Sequence, residues 1–250
     1  MDKYIPKQII NAHGHPHPGE LETVIDQWKT MGLIAMVRCG VSDQTNDLAL
    51  AERQRFGPIV LPFGFVDLDR DTPDTVDRLI ERGFVGLKFH AVDKPYSDRT
   101  YWPVFQHAAR LNLPAVFHTG WGVGAKCRRS LNMMPSELEP ICKLLPEWKI
   151  VAAHIGNWWA EDAIGMLEHH PNLYYDLSGG FIRKHSPTWI RSLFLRQPDK
   201  NLRIIEDVID YSLFDRLVFA TDNPPLPELL EFYVNLLTWL EVPIDIQHKI

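Results

Sequence analysis

The stretch IINAHGHPHP, residues 9–18, sets His13, His15 and His17 at alternate positions behind a short apolar run. Imidazole is the commonest metal ligand among side chains and a base that works near neutral pH. Residues two apart on a β-strand share a face, so His13 and His15 can point at one ion. Eleven histidines in 250 residues give about half a His-x-His pair by chance alone, so the pair carries weight only if distant residues meet it. Candidates recur down the chain: Lys88 and His90 in VGLKFH, His118 in PAVFH, His154 in IVAAH and Asp222 in FATDNPP. Imidazoles with one carboxylate suit a borderline divalent ion such as zinc, with a position left open for water in a catalytic site.

Those residues need elements that bring them together. Short β-rich runs occupy residues 8–13, 34–39, 59–66, 84–90, 114–118, 149–154, 173–177 and 216–221, with helix-like stretches between them. One such stretch opens at Thr72-Pro73 and stops at Gly83, the asymmetry a helix shows in water. Alternating strands and helices imply βαβ units and a parallel sheet. Eight units in 250 residues fit a single (β/α)₈ TIM barrel, and no Gly-x-Gly-x-x-Gly turn follows the first strand to favour an open nucleotide-binding sheet. In such a barrel the C-terminal ends of all eight strands meet at one mouth. His13, His15, Lys88, His90, His118, His154 and Asp222 each stand at or just beyond a strand end, so a shared metal site is the expectation. Two connections, after the fifth and seventh strands, read as long functional loops. His17 lies between Pro16 and Pro18, beyond the strand, and reads as loop. His107, His169, His170, His185 and His248 read as solvated or capping.

The series IINAHGH, VGLKFH, PAVFHTG, IVAAHIGN and FATDNP resembles the amidohydrolase superfamily, in particular its amidohydrolase-2 group of metal-dependent barrels, over nearly the whole chain. The resemblance implies His13, His15, His118 and Asp222 as ligands to one divalent ion, zinc or manganese. It makes His154 a further ligand or a group that polarises substrate. Lys88 becomes an ordinary cation near the substrate; a carbamylated Lys88 bridging two metals, as in binuclear relatives, is the lesser alternative. This sequence departs from the group at Asn11, where Asp is frequent, and at Thr221-Asp222-Asn223-Pro224, where Ser-Asp-aromatic-Pro is common. It ends at QHKI without the group's usual terminal helix, so a truncated C-terminus is an expectation, and pairing as a homodimer is one that similar barrels suggest.

Composition excludes several classes. The net charge of −6 and the lack of a Lys/Arg block argue against nucleic acid or an anionic membrane as partner. No apolar run reaches membrane-spanning length, and MDKYIPKQ lacks a signal-peptide core. Cys39, Cys127 and Cys142 suggest neither disulfide framework nor zinc ribbon; a reduced cytoplasmic setting is expected. Cations nonetheless gather where the mouth should be: Lys126, Arg128, Arg129, Arg183 and Lys184 on the two long loops, with Arg38 and Lys88 on strands. That grouping points to a small anionic, carboxylate-bearing substrate. The expected substrate contacts are Arg38, Lys88, His90, Trp121, Arg128, Trp158 and Arg183. The expected reaction is hydrolysis of a lactone, ester or amide, with Asp222 as base then acid and His154 facing the carbonyl oxygen. Non-oxidative decarboxylation is the alternative, and a non-catalytic metal-binding barrel the third reading.

Overall fold

The computed structural model describes residues 6–122, 129–179, 182–196, 207–223 and 226–250. Eight parallel strands run in chain order around one sheet: β1 Ile9–Gly14, β2 Leu33–Cys39, β3 Val60–Val66, β4 Gly86–Phe89, β5 Ala115–His118, β6 Ile150–Ala153, β7 Leu173–Asp176 and β8 Leu217–Val218. Helices between and after them include α1 Glu20–Thr30, α2 Asp43–Phe56, α3 Pro73–Arg82, α4 Trp102–Arg110, α5 Glu139–Leu144, α6 Ala160–His169, α7 Pro187–Leu193, α8 Leu226–Trp239 and α9 Ile244–Gln247. This is the expected single (β/α)₈ barrel.

The last strand is shorter than the sequence pattern suggests, because the chain beyond β8 bends to serve the site. The barrel is closed by Ala12 N–H donating to the Phe219 carbonyl (2.9 Å) and by Thr221 and Asp222 both donating to the His13 carbonyl (3.1 and 2.8 Å). The wholly buried Asn11 seals the seam. Its amide donates to Thr221 Oγ1 (2.9 Å), and its Oδ1 accepts from Thr221 N–H (3.1 Å). Asn and Thr thus form a reciprocal pair, each donating once to the other.

Side-chain parity divides the strands between two cores. Val37, Cys39, Phe63, Val116 and Ala153 fill the barrel, while a larger apolar layer, including Met36, Leu87, Phe89, Phe105 and Phe117, packs between strands and helices. Phe63 lies flat against Gly86, where a Cβ would come within 2.4 Å of the ring, so β4 can carry only glycine there. α3 starts at Pro73 and stops at Gly83 in the left-handed region (φ 101°), as its sequence predicts.

Two expectations need correction here. The connection after β7 is not one long loop: Ser186 caps Trp189 N–H and Pro187 opens α7, the same Ser/Thr-Pro start that marks α3. Arg38 does not reach for substrate. By parity it points out of the barrel, beneath α1 and α2, where its guanidinium donates to Glu52 (2.8 and 3.1 Å) and Glu20 (2.7 Å). It is buried with Glu52 and clamps two helices to β2. Arg38→Met would strand the Glu52 carboxylate in a low-dielectric layer, a loss of about 3 kcal/mol. Chemical denaturation should register that loss while metal content of the folded fraction stays at the parental value; loss of metal with stability intact would return Arg38 to the site.

Candidate metal centre

The site is built from the mouth-facing ends of β1, β4, β5, β6, β7 and β8. His13 points into the barrel from β1, and its Nδ1 lies 3.0 Å from Asp176 Oδ2 at the end of β7. Asp176, wholly buried, accepts three further hydrogen bonds on Oδ1: from His154 N–H (2.8 Å), Ser178 N–H (2.9 Å) and Ser178 Oγ–H (2.6 Å). Burial pushes this carboxyl up, but the hydrogen bonds from His13 and Ser178 overcome it and hold it below the usual carboxylate range. An ionised Asp176 can only accept, which fixes the protons around it.

The tautomers follow. His13 donates from Nδ1, so its Nε2 carries a lone pair, which accepts from Lys88 Nζ (3.0 Å). Ser178 spends its hydroxyl hydrogen on Asp176; its Oγ therefore accepts from His154 Nδ1 (2.9 Å), which leaves Nε2 as the His154 nitrogen outside this network. His15 donates from Nδ1 to the Cys39 carbonyl (2.8 Å), and its Nε2 stands 3.2 Å from His13 Nε2 and 3.1 Å from Asp222 Oδ1. His13, His154 and Asp222 each present a ligand atom within 4.8 Å of the others. Ring nitrogens and a carboxylate oxygen facing one another repel; Lys88 Nζ meets one of them, His13 Nε2, and an ion among them would relieve the rest. Carboxylate or backbone partners on the far nitrogens are what metal-bound imidazoles use to fix their orientation. The donor set fits a divalent ion.

Burial supports the same protonation states. It lowers His13 to about 3, helped by Lys88, and lowers His15 too. Asp222 is pushed up by burial and more strongly down by His154 and by His15, so it is ionised. The backbone is bent to make this array. His154 (φ 67°), Ile155 (φ 42°), Asn157 (φ 50°) and Asp222 (φ 60°) all occupy the left-handed region, at about 1–3 kcal/mol each. For the β-branched Ile155 that conformation persists only because its neighbours impose it. Gly120 packs against Asn157 of the same turn, its Cβ position lying 2.4 Å from Asn157 Nδ2.

The other expected residues divide. His118 lies with its ring 5.0 Å from that of His154 and 4.6 Å from that of His90, but its Nε2 faces the Trp121 carbonyl at 3.2 Å. It is therefore beside the converging atoms and outside the group of three. Lys88 is wholly buried beneath the histidines, with Nζ 3.0 Å from His13 Nε2, and does not border the cleft as a substrate cation would. His90, Trp121 and Trp158 line a mouth cleft of about 1120 Å³, with His15, His154 and Asp222 at its floor. Arg183 instead faces Glu228 (3.6 Å); Arg128, like Lys126, lies outside the described residues. His17 bonds Asn223 Oδ1 at the rim (3.0 Å), a loop role as expected. His170 caps α6 as expected but is buried. Asp176 and Ser178 went unread in the sequence, although a lone aspartate in the buried run LYYDLS demands a partner.

The amidohydrolase family model Amidohydro_2 matches residues 30–243. The chain belongs to that family. The match takes in His118, His154, Asp176 and Asp222 and starts beyond His13 and His15. Among solved structures, this amidohydrolase is similar to an uncharacterized TIM-barrel protein from Bordetella bronchiseptica (16% identity, 97% of this chain and 95% of that one, TM-score 0.75). It is also similar to a probable 2-pyrone-4,6-dicarboxylic acid hydrolase from Acinetobacter baumannii with citric acid bound (13%, 97% and 96%, TM-score 0.65). A third is an amidohydrolase from Burkholderia multivorans with bound zinc (14%, 97% and 95%, TM-score 0.61). At these identities the likeness is one of fold. No curated protein matches the chain's sequence. Among the described residues, no helix is long and apolar enough to cross a membrane.

Two outcomes follow for this amidohydrolase. Asp176→Asn keeps the shape but can turn an N–H toward His13 Nδ1, so metal affinity measured by chelator competition should fall about 10–100-fold; unchanged affinity would remove Asp176 from its role. The second concerns pH. His13 and His90 are held near 3 and His118 well below 6.5, in each case chiefly by burial. In the unfolded chain they titrate near 6.5, so the folded state binds fewer protons below that pH. The stability they contribute is complete above pH 6.5 and is lost as pH falls toward 3. The depressed carboxylates Asp176 and Asp222 act only below their ordinary 3.8. Melting of metal-free protein should therefore drop steadily between pH 7 and about 4.5; a flat or rising profile contradicts neutral buried histidines.

Proposed function

We propose that this amidohydrolase is a metal-dependent hydrolase that cleaves a carboxylate-bearing lactone, ester or amide through an activated water. The observation that carries this reading is the convergence of His13, His15 and His154 on the Asp222 carboxylate at the floor of an open cleft. Zinc in a barrel of similar fold supports that metal as the first to test, with manganese second. His13, His15, Asp222 and His154 would hold one ion, and His118 stands near enough to join them by turning from the Trp121 carbonyl. Such an ion supplies Lewis acidity and a water that ionises near neutral pH.

The residues do the rest. Asp222 is ionised and borders the cleft. Its Oδ2 accepts from Asn223 Nδ2 (3.0 Å), which steadies the carboxylate as it takes a proton from the attacking water and returns it to the leaving group, base then acid. His154 Nδ1 is engaged with Ser178 Oγ, which leaves Nε2 to hold a cation, so between its two expected roles this hydrogen bond favours the ligand. Lys184 lines the cleft and supplies the cation for a substrate carboxylate. The array could also serve decarboxylation, and product analysis separates the two: a panel of carboxylated lactones and aryl acids should yield protons without carbon dioxide. Asp222→Asn should lower turnover at least about 100-fold with protein still folded. Carbon dioxide release, or undiminished turnover in the variant, contradicts the hydrolytic assignment.

A further inference from the structure

Charge alone does not describe the mouth. Of the cations that pattern reading placed there, Arg38 and Arg183 face glutamates, and Lys184 lines the cleft. The walls between are largely carbon. Pro16 and Pro18 stand on the loop after β1, Val41 on the loop after β2, and Leu48 and Ala51 on α2. α2 is anchored by another face, its Asn46, Ala49 and Glu52 being buried; the face at Gln44, Leu48 and Ala51, at helical spacing, is left to the cleft. The far wall carries Trp121 and Trp158, residues 50% and 67% exposed. Large exposed indoles rimming one cavity mark a binding surface rather than ordinary surface composition.

Volume decides between ligand sizes. Clefts of about 300–1,000 Å³ enclose drug-sized molecules, and this one measures about 1120 Å³. A compact dicarboxylate would leave most of it, and all of its apolar wall, in water. Building on the hydrolytic reading, we propose that the substrate carries a bulky, flat, apolar group of fused-ring size. That group seats between Leu48 and Ala51 on one side and Trp121 and Trp158 on the other, while the scissile carbonyl reaches the histidine floor and a carboxylate meets Lys184.

The test is equilibrium binding, independent of turnover. Naphthalene-2-carboxylate, benzoate and succinate are titrated against purified protein by calorimetry. The expected order is naphthoate tightest, with at least a tenfold advantage over succinate, since a second ring adds apolar area to bury. Leu48→Glu should reduce naphthoate affinity about tenfold, with melting temperature and metal content retained. Trp121→Ala, at an exposed position, gives the same readout should Leu48→Glu fail to fold. Succinate binding as tightly as naphthoate, or naphthoate affinity indifferent to both variants, overturns the proposal. The two readings fail separately: naphthoate binding with no metal-dependent hydrolysis contradicts only the proposed reaction, and hydrolysis with no preference for rings contradicts only this inference.

Discussion

One buried carboxylate governs the site. Asp176 sits at the end of β7 with no exposed surface and four hydrogen bonds, from β1 through His13, from the end of β6 through the His154 amide, and from Ser178 twice. Burying an isolated charge is expensive, and only donors placed around it make the ionised form tolerable. The same donors are thereby fixed. Because Asp176 accepts hydrogen bonds from His13 Nδ1 and from Ser178, the second ring nitrogens of His13 and His154 are turned away from it. A single electrostatic requirement deep in the barrel thus sets the proton arrangement of atoms several ångströms above it.

Closure and chemistry share the same few residues. The seam between first and last strands runs through Asn11, His13, Thr221 and Asp222, so the bond pattern that completes the barrel also sets the two ends of the candidate ligand array. Asp222 leaves the ladder with φ 60° and His154 leaves β6 with φ 67°. Both side chains owe their aim to backbone that a free peptide would avoid. Strain of this kind survives where surrounding contacts over-determine it, here the Asp176 bond to His154 N–H and the double donation to the His13 carbonyl.

What the sequence made legible was periodic. Eight β-rich runs, the His-x-His pair on one strand face, and histidines at strand ends could be read without coordinates, and so could the start and stop of α3. Residues whose meaning depends on a distant partner could not. Arg38 looked like a mouth cation, yet parity with Met36 sends it outward, where Glu20 and Glu52 wait in two different helices. Asp176 hid as one polar letter in a strand, although its parity opposite to the outward Tyr175 places it inside. α7 was obscured because its Ser186-Pro187 start lies in a segment whose glycines and cations suggested a loop.

The central claim is that these side chains form one divalent-metal centre. Elemental analysis of purified protein, run beside a His13→Ala/His15→Ala variant of matched fold, addresses it most directly. The account predicts about one zinc or manganese ion per parent chain and almost none in the variant. A well-folded parent that holds no metal after supplementation, or a variant that retains the full complement, would contradict it.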